Sequence, residues 1–154
     1  MGQKLIEHQG IIGVNISPLR IIEDQRGSVM HMLRNDDPYF QKFGEVYFST
    51  LKPNTVKAWK KHLEMVQNIV VPVGEVLFVL FDNRPLSATY GKILEITLGP
   101  SNYFRLQIPQ DIWYGFKNLR KNSDSLIANC ATIPHIADEV VRLPECCEEI
   151  PYRF

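Results

Sequence analysis

Turn signals recur along this chain at short, fairly regular intervals: Ser17-Pro18, Arg26-Gly27, Lys52-Pro53-Asn54, Val73-Gly74, Asn83-Arg84-Pro85, Tyr90-Gly91, Gly99-Pro100 and Pro109. Each is a place where Pro fixes the backbone or Gly frees it, so no long helix can pass through. The intervals are filled by β-branched and aromatic residues: 45–51, 55–63, 68–73, 76–81, 92–98, 103–108 and 126–133 read as strands. Many short strands with frequent turns imply an all-β sandwich or barrel. The one helical candidate is Asp36 to Lys42, where Asp-Asp-Pro supplies acidic residues and an early Pro.

With 154 residues and 45% hydrophobic content, the chain is expected to form one domain over residues 1–154 with a real core. Lys plus Arg equals Asp plus Glu at 17 each, so no global field draws it to nucleic acid or an anionic membrane. A small-molecule ligand or a protein partner fits better. The first residues show no signal-peptide pattern, and no apolar run is long enough to span a bilayer. The three cysteines, Cys130, Cys146 and Cys147, are odd in number and contain no C-x-x-C pair, so neither a disulfide framework nor a zinc knuckle is indicated. A cytoplasmic location is expected.

Strand alternation assigns faces. In 55–63, Val56, Ala58, Lys60 and His62 share one face and Lys57, Trp59, Lys61 and Leu63 the other, unless a bulge intervenes. Both faces carry charge, and a buried unpaired charge is costly, so one face is expected to line a wet cavity. In 45–51, Glu45, Tyr47 and Ser49 alternate with apolar residues and can add polar groups to the same lumen. The competing reading leaves that polar set facing solvent.

The spacing resembles that of the cupin, or double-stranded β-helix (jelly-roll), barrels. Metal-binding cupins set a His-x-His pair, a Glu and a Gly along one strand pair, with a fourth ligand in a later Pro-x-Gly-x-x-His frame. Here Lys60, His62, Gln67 and Gly74 occupy the first frame, and Pro109, Asp111, Tyr114 and Asn118 the second. Only His62 is a good ligand, so no metal or other cofactor is expected. What remains is a polar lumen of Lys60, His62, Gln67 and Tyr114, with donors for carbonyl, hydroxyl or phosphate oxygens and two titratable groups that burial can tune.

Five blocks resemble, more narrowly, the dTDP-4-dehydrorhamnose 3,5-epimerases. These are Asp24-Gln25-Arg26-Gly27; Val56-Lys57-Ala58-Trp59-Lys60; Asp82 to Gly91 with Arg84, Ser87 and Thr89; Ile108-Pro109 followed by Gly115-Phe116; and Glu139. The resemblance implies a metal-free enzyme that epimerises a 4-keto-6-deoxy sugar on a nucleoside diphosphate, in deoxysugar supply for a polysaccharide. The hydrogens beside the ketone are acidic because the carbanion delocalises as an enolate, so a base, a donor to the enolate oxygen and an opposing acid are needed. The catalytic set departs from the family's. Lys60 stands at the position of its His, Gln67 near its Lys, Tyr114 at a second His, and Ala128, flanked by Asn129, near its Tyr.

Lys60 with a lowered pKa, or His62, can serve as base, with Tyr114 or Tyr47 as acid. By resemblance Arg26 and Lys57 are diphosphate ligands, and Glu45, Tyr47, Gln67 and Asn129 complete the binding set. A homodimer is also implied, with N-terminal strands crossing to the partner and Arg26 near that region. A catalytically silent carbohydrate-binding cupin and a 3,4-ketoisomerase on the same scaffold are the alternatives.

Overall fold

The structure is a computed structural model that describes residues 10–154. The strands are β1 (Asn15–Pro18), β2 (Ile21–Asp24), β3 (Gly27–Met30), β4 (Glu45–Leu51), β5 (Val56–His62), β6 (Gln67–Val73), β7 (Val76–Asp82), β8 (Ile93–Leu98), β9 (Phe104–Ile108), β10 (Ile112–Asn118), β11 (Ser125–Ala131) and β12 (Val140–Arg142). Five form one sheet in the order β1-β9-β6-β11-β4 and five another in the order β12-β5-β10-β7-β8, while β2 and β3 make a separate hairpin. All pairings are antiparallel. This is the all-β architecture expected from the turn spacing and the jelly-roll barrel implied by the resemblance to cupins.

The inner faces pack a core of Leu51, Ile69, Val71, Phe78, Leu80, Leu106, Ile108, Ile112, Tyr114 and Phe116, among others. A second cluster covers the outside of the β5-containing sheet: Trp59, Val79, Phe81 and Trp113 pack under the C-terminal residues Cys147, Ile150, Tyr152 and Phe154. A third lies outside the other sheet, where Val70, Tyr103 and Ala128 meet Leu19, Ile21, Met30 and Met32 around the hairpin.

Three sequence expectations change. Residues 36–42 form turns rather than a helix. The Asp37 carboxylate is bound by the fully buried Arg105 guanidinium at 2.7 and 2.9 Å and accepts the Tyr39 N–H, which commits the segment to a turn. Strand β10 was not anticipated, because Gly115 interrupts its run; the glycine is needed, since a Cβ there would come within 2.5 Å of Ala58 Cβ. The simple alternation in β5 also fails. Tyr114 pairs with Lys60 but Phe116 pairs with Lys57, so two steps on β10 match three on β5. That bulge turns Ala58 and Trp59 both toward the outer cluster and brings Lys57 onto the luminal side with Lys60 and His62.

Candidate active site

The polar residues picked out on β5, β6, β10 and β11 meet in one hydrogen-bonded chain across the barrel. His62 Nδ1 lies 2.7 Å from Glu139 Oε2, and its Nε2 is 3.3 Å from the Tyr114 hydroxyl. Tyr114 donates to Gln67 Oε1 at 2.8 Å. Asn129 Nδ2 donates to the same Gln67 oxygen at 3.1 Å and to the Tyr47 hydroxyl at 2.8 Å. All but Tyr47 are buried: His62 is 5% exposed, Gln67 and Asn129 2%, and Tyr114 1%.

Donor and acceptor rules fix how this chain points. Gln67 Oε1 accepts twice, so its amide nitrogen is turned away from Tyr114 and Asn129, and it has no partner among the described residues. Both hydrogens of Asn129 Nδ2 are spent on Gln67 and Tyr47, which leaves the Tyr47 proton free for something else. Tyr47 and Glu45 stand on the inner side of β4, whose residues alternate between partly buried and exposed from Glu45 to Thr50. Asn129 pairs with Tyr47 across the sheet, whereas Ala128 faces the outer cluster. The luminal residue of that block is therefore Asn129.

Glu139, a resemblance mark only in the sequence, organises the far end of the chain. Its Oε1 accepts the backbone N–H of Glu64 at 3.0 Å and of Met65 at 2.7 Å. Burial opposes its charge, yet these donors and His62 prevail and hold its carboxyl below the ordinary value. Burial lowers the His62 pKa in spite of the carboxylate beside it. Burial pushes the Tyr114 hydroxyl well above its usual value, and it raises that of Tyr47 as well. Buried between the Glu139 carboxylate and the Tyr114 hydroxyl, the imidazole is poorly placed to reach a ligand.

Lys60 is differently placed. Its ammonium lies over the Tyr114 ring, 5.2 Å from the centroid, and 5.7 Å from that of Phe116. Burial, with the charges of Arg142 and Lys57, pushes its pKa down to about 8. Lys57 is exposed at the same mouth. Arg26 is not brought to the cluster: it sits on the turn of the β2–β3 hairpin, 88% exposed, and pairs with Asp24 at 2.6 Å. Among the described residues, no three His, Cys, Asp or Glu side chains are grouped so as to hold a metal ion.

The Asp82 block proves to be a loop anchor. Asp82, fully buried, accepts from Arg84 (Nε 2.9 Å, Nη2 2.8 Å), from Ser87 Oγ at 2.6 Å and from Thr89 Oγ1 at 2.6 Å. Arg84 then donates to the Ile12 carbonyl, and Thr89 Oγ1 accepts the Ile12 N–H. Burial opposes the charge, but these donors hold the Asp82 carboxyl well below the usual range.

Comparison with known proteins agrees with this architecture. A protein described as a dTDP sugar isomerase from Desulfovibrio desulfuricans G20 superposes with a TM-score of 0.89 at 45% identity, covering 92% of this chain and 90% of that one. The probable low-salt glycan biosynthesis epimerase of Haloferax volcanii is 32% identical over 121 residues, 77% of each chain. The spore coat polysaccharide biosynthesis protein SpsL of Bacillus subtilis is 28% identical over 117 residues, 76% of this chain and 78% of that one. Residues 8–135 match the family described as dTDP-4-dehydrorhamnose 3,5-epimerase. That match takes in β1 to β11 with the whole luminal chain except Glu139, and by it this protein belongs to the dTDP-4-dehydrorhamnose 3,5-epimerase family.

Proposed function

We propose that the protein is a nucleotide-sugar epimerase acting by proton transfer beside a 4-keto group, with Lys60 as base and Tyr47 as acid. The observation that carries this reading is that the two groups stand on opposing sheets: Lys60 on β5 and Tyr47 on β4, with the Gln67 amide held between them by Tyr114 and Asn129. An epimerase needs a base on one side of the sugar carbon and an acid on the other.

In the proposed sequence the neutral Lys60 amine takes the hydrogen from the carbon next to the ketone, and the electron pair of that bond moves onto the carbonyl oxygen as an enolate. The Gln67 N–H group donates to that oxygen. The Tyr47 hydroxyl returns a proton to the opposite face of the carbon. Exchange with water then resets the ammonium and the phenolate. A Lys60 pKa of about 8 leaves roughly a tenth of the side chain as free amine near neutrality, while burial keeps Tyr47 protonated until it is used. His62 and Tyr114 act as positioning residues behind Gln67.

The names of the two curated relatives support a place in polysaccharide biosynthesis. The cytoplasm is the proposed location and the whole chain the proposed working domain. A homodimer is supported by the exposed apolar residues Val46 (47%) and Phe48 (66%) on the outer side of β4 and Ile22 (46%) and Val29 (61%) on the hairpin. In such a dimer the exposed Arg26 of one copy is free to reach the partner's mouth.

The test is incubation with a dTDP-4-keto-6-deoxyhexose in deuterated water. Deuterium is expected at C3 or C5, and its position also reports whether one carbon or both are inverted. Binding of the sugar nucleotide without exchange would leave a binding protein only. Migration of the keto group to C3 would support the ketoisomerase.

A further inference from the structure

The residues after β12 form a clasp on the outside of the β5-containing sheet, and it closes on the β5 bulge. Ala58 and Trp59 have no register partner on β10. Trp59, 2% exposed, pairs its backbone with Leu143 instead: its N–H donates to the Leu143 carbonyl at 3.0 Å, and the Leu143 N–H donates back at 3.1 Å. The indole Nε1 donates to the Glu145 carbonyl at 3.2 Å. Phe154 lies 5.2 Å from the indole between ring centroids, and Tyr152 meets it edge-on at 6.1 Å. Phe154 also occupies the space that Gly115 leaves open on β10, where a Cβ would come within 3.1 Å of two of its ring carbons. The Tyr152 hydroxyl donates to Glu95 on β8, which ties the clasp to the far edge of the same sheet.

Resting on the epimerase reading above, we propose that Trp59 and Phe154 are positioning residues for the reaction: by holding the bulge from outside, they aim the Lys60 amine over Tyr114 and keep it out of water. Lys60 directly follows Trp59, so the backbone direction at the bulge sets where its side chain starts. Among the described residues no carboxylate pairs with Lys60, and its amine rests on the ring faces of Tyr114 and Phe116, at 5.2 and 5.7 Å. A ring face attracts a cation without fixing its direction as a hydrogen bond does, so the aim must come from the backbone. Those two rings flank Gly115, and Phe154 packs on the back of that same stretch of β10. The charged and titratable groups facing the amine are Lys57 and His62 on β5, Arg142 on β12 and Tyr114 on β10, with Glu139 behind His62. Burial is the largest influence on Lys60, ahead of Arg142 and Lys57, so an amine that swings toward solvent regains an ordinary lysine value.

The experiment compares the full-length protein with Phe154→Ala, Phe154→Leu, Trp59→Phe and, as a control in the same outer cluster, Phe81→Leu. The Lys60 pKa is read from its Nζ resonance in ¹H–¹⁵N spectra, identified by its loss in Lys60→Arg, and kcat and KM are measured with a dTDP-4-keto-6-deoxyhexose. In Phe154→Ala the pKa is expected to rise from about 8 toward the ordinary 10.5, with kcat down about ten-fold or more and KM within about two-fold. Phe154→Leu, which keeps an apolar plug over Gly115, is expected to recover most of both. Trp59→Phe keeps a ring but loses the bond to Glu145; it is expected to move both by a smaller step, and it carries the test if Phe154→Ala does not fold. Phe81→Leu is expected to lower urea stability without moving the Lys60 pKa. An unchanged Lys60 pKa and kcat in folded Phe154→Ala or Trp59→Phe, or a shift in Phe81→Leu as large as in Phe154→Ala, would overturn the assignment. The pKa is read without turnover, so the two readings fail apart. A wild type that exchanges no deuterium but whose Lys60 pKa follows Phe154 keeps the clasp and removes the epimerase; one that exchanges deuterium with a Lys60 pKa indifferent to Phe154 does the reverse.

Discussion

Replacing Glu139 by Gln and by Ala separates the two jobs of this buried carboxylate. One oxygen takes both backbone donors, Glu64 and Met65, while the other meets His62 Nδ1 at 2.7 Å. In Glu139→Gln the amide oxygen can keep both backbone bonds, and its NH₂ then faces His62 Nδ1. That nitrogen must now accept, so the imidazole proton moves to Nε2 and is donated to the Tyr114 oxygen 3.3 Å away. Tyr114 meanwhile keeps its own proton for Gln67. Three charge-assisted bonds become neutral ones while the cost of burying the charge is removed, and the expected net cost is about 1–2 kcal/mol. Glu139→Ala leaves two backbone donors and His62 without partners in a buried site, at roughly 3–5 kcal/mol, a large share of a stability on the order of 5–15 kcal/mol. Urea unfolding measures both variants, and ¹⁵N spectra of the histidine rings identify the tautomer. Equal losses for Gln and Ala, or a proton that stays on Nδ1, would refute this account of the network. The pH dependence follows. His62 is depressed below its ordinary 6.5 by burial, so its contribution is present above pH 6.5 and lost as pH falls below it. Glu139 is depressed below 4.5, so its contribution is present above 4.5 and lost on acidification through its lower folded value. Wild type is expected to weaken in both stages, and Glu139→Gln only in the first.

Activity and folding can be probed apart. The pH profile of kcat/KM is expected to rise through about 8 as Lys60 loses its proton, and Lys60→Ala is expected to lower deuterium exchange by about 10²–10⁴-fold; a profile flat across that range would remove Lys60 as base. Asp82→Ala strands the Arg84, Ser87 and Thr89 donors and is expected to cost roughly 3–5 kcal/mol in urea unfolding with KM unchanged, because the loop it anchors lies outside the lumen.

The sequence read well where one residue type had one reason to be present. Strand β4 was legible to the residue, since Glu45, Tyr47 and Ser49 alternate with Val46, Phe48 and Thr50. The convergence of Lys60, His62, Gln67 and Tyr114 followed from face and spacing. Other features depended on distant partners. Residues 36–42 carry local helix signals, but Arg105 on β9 takes the Asp37 carboxylate, and no local pattern announces that pairing. β12 is too short for its alternation to register, and Glu139, just before it, stood out only by resemblance. The choice between His62 and Lys60, which the sequence leaves open, is a matter of access. Intrinsic chemistry favours an imidazole near neutrality, whereas its burial between Glu139 and Tyr114 favours the lysine.

The bulge in β5 has a consequence for how such a site can change. Side chains along a strand carry a phase, and one supernumerary residue at Ala58-Trp59 resets it, so that residues upstream stand on the opposite face from the one plain alternation would give them. Deleting a single residue there would restore plain alternation and leave Lys57 opposite Phe116 and Lys60 opposite Tyr114, all on the luminal face, whereas straightening the strand without a deletion would turn Lys57 outward. The same rim can thus be written by strands of two lengths, one with the bulge and one a residue shorter without it, so a difference of one residue at this point need not change which side chains line the mouth.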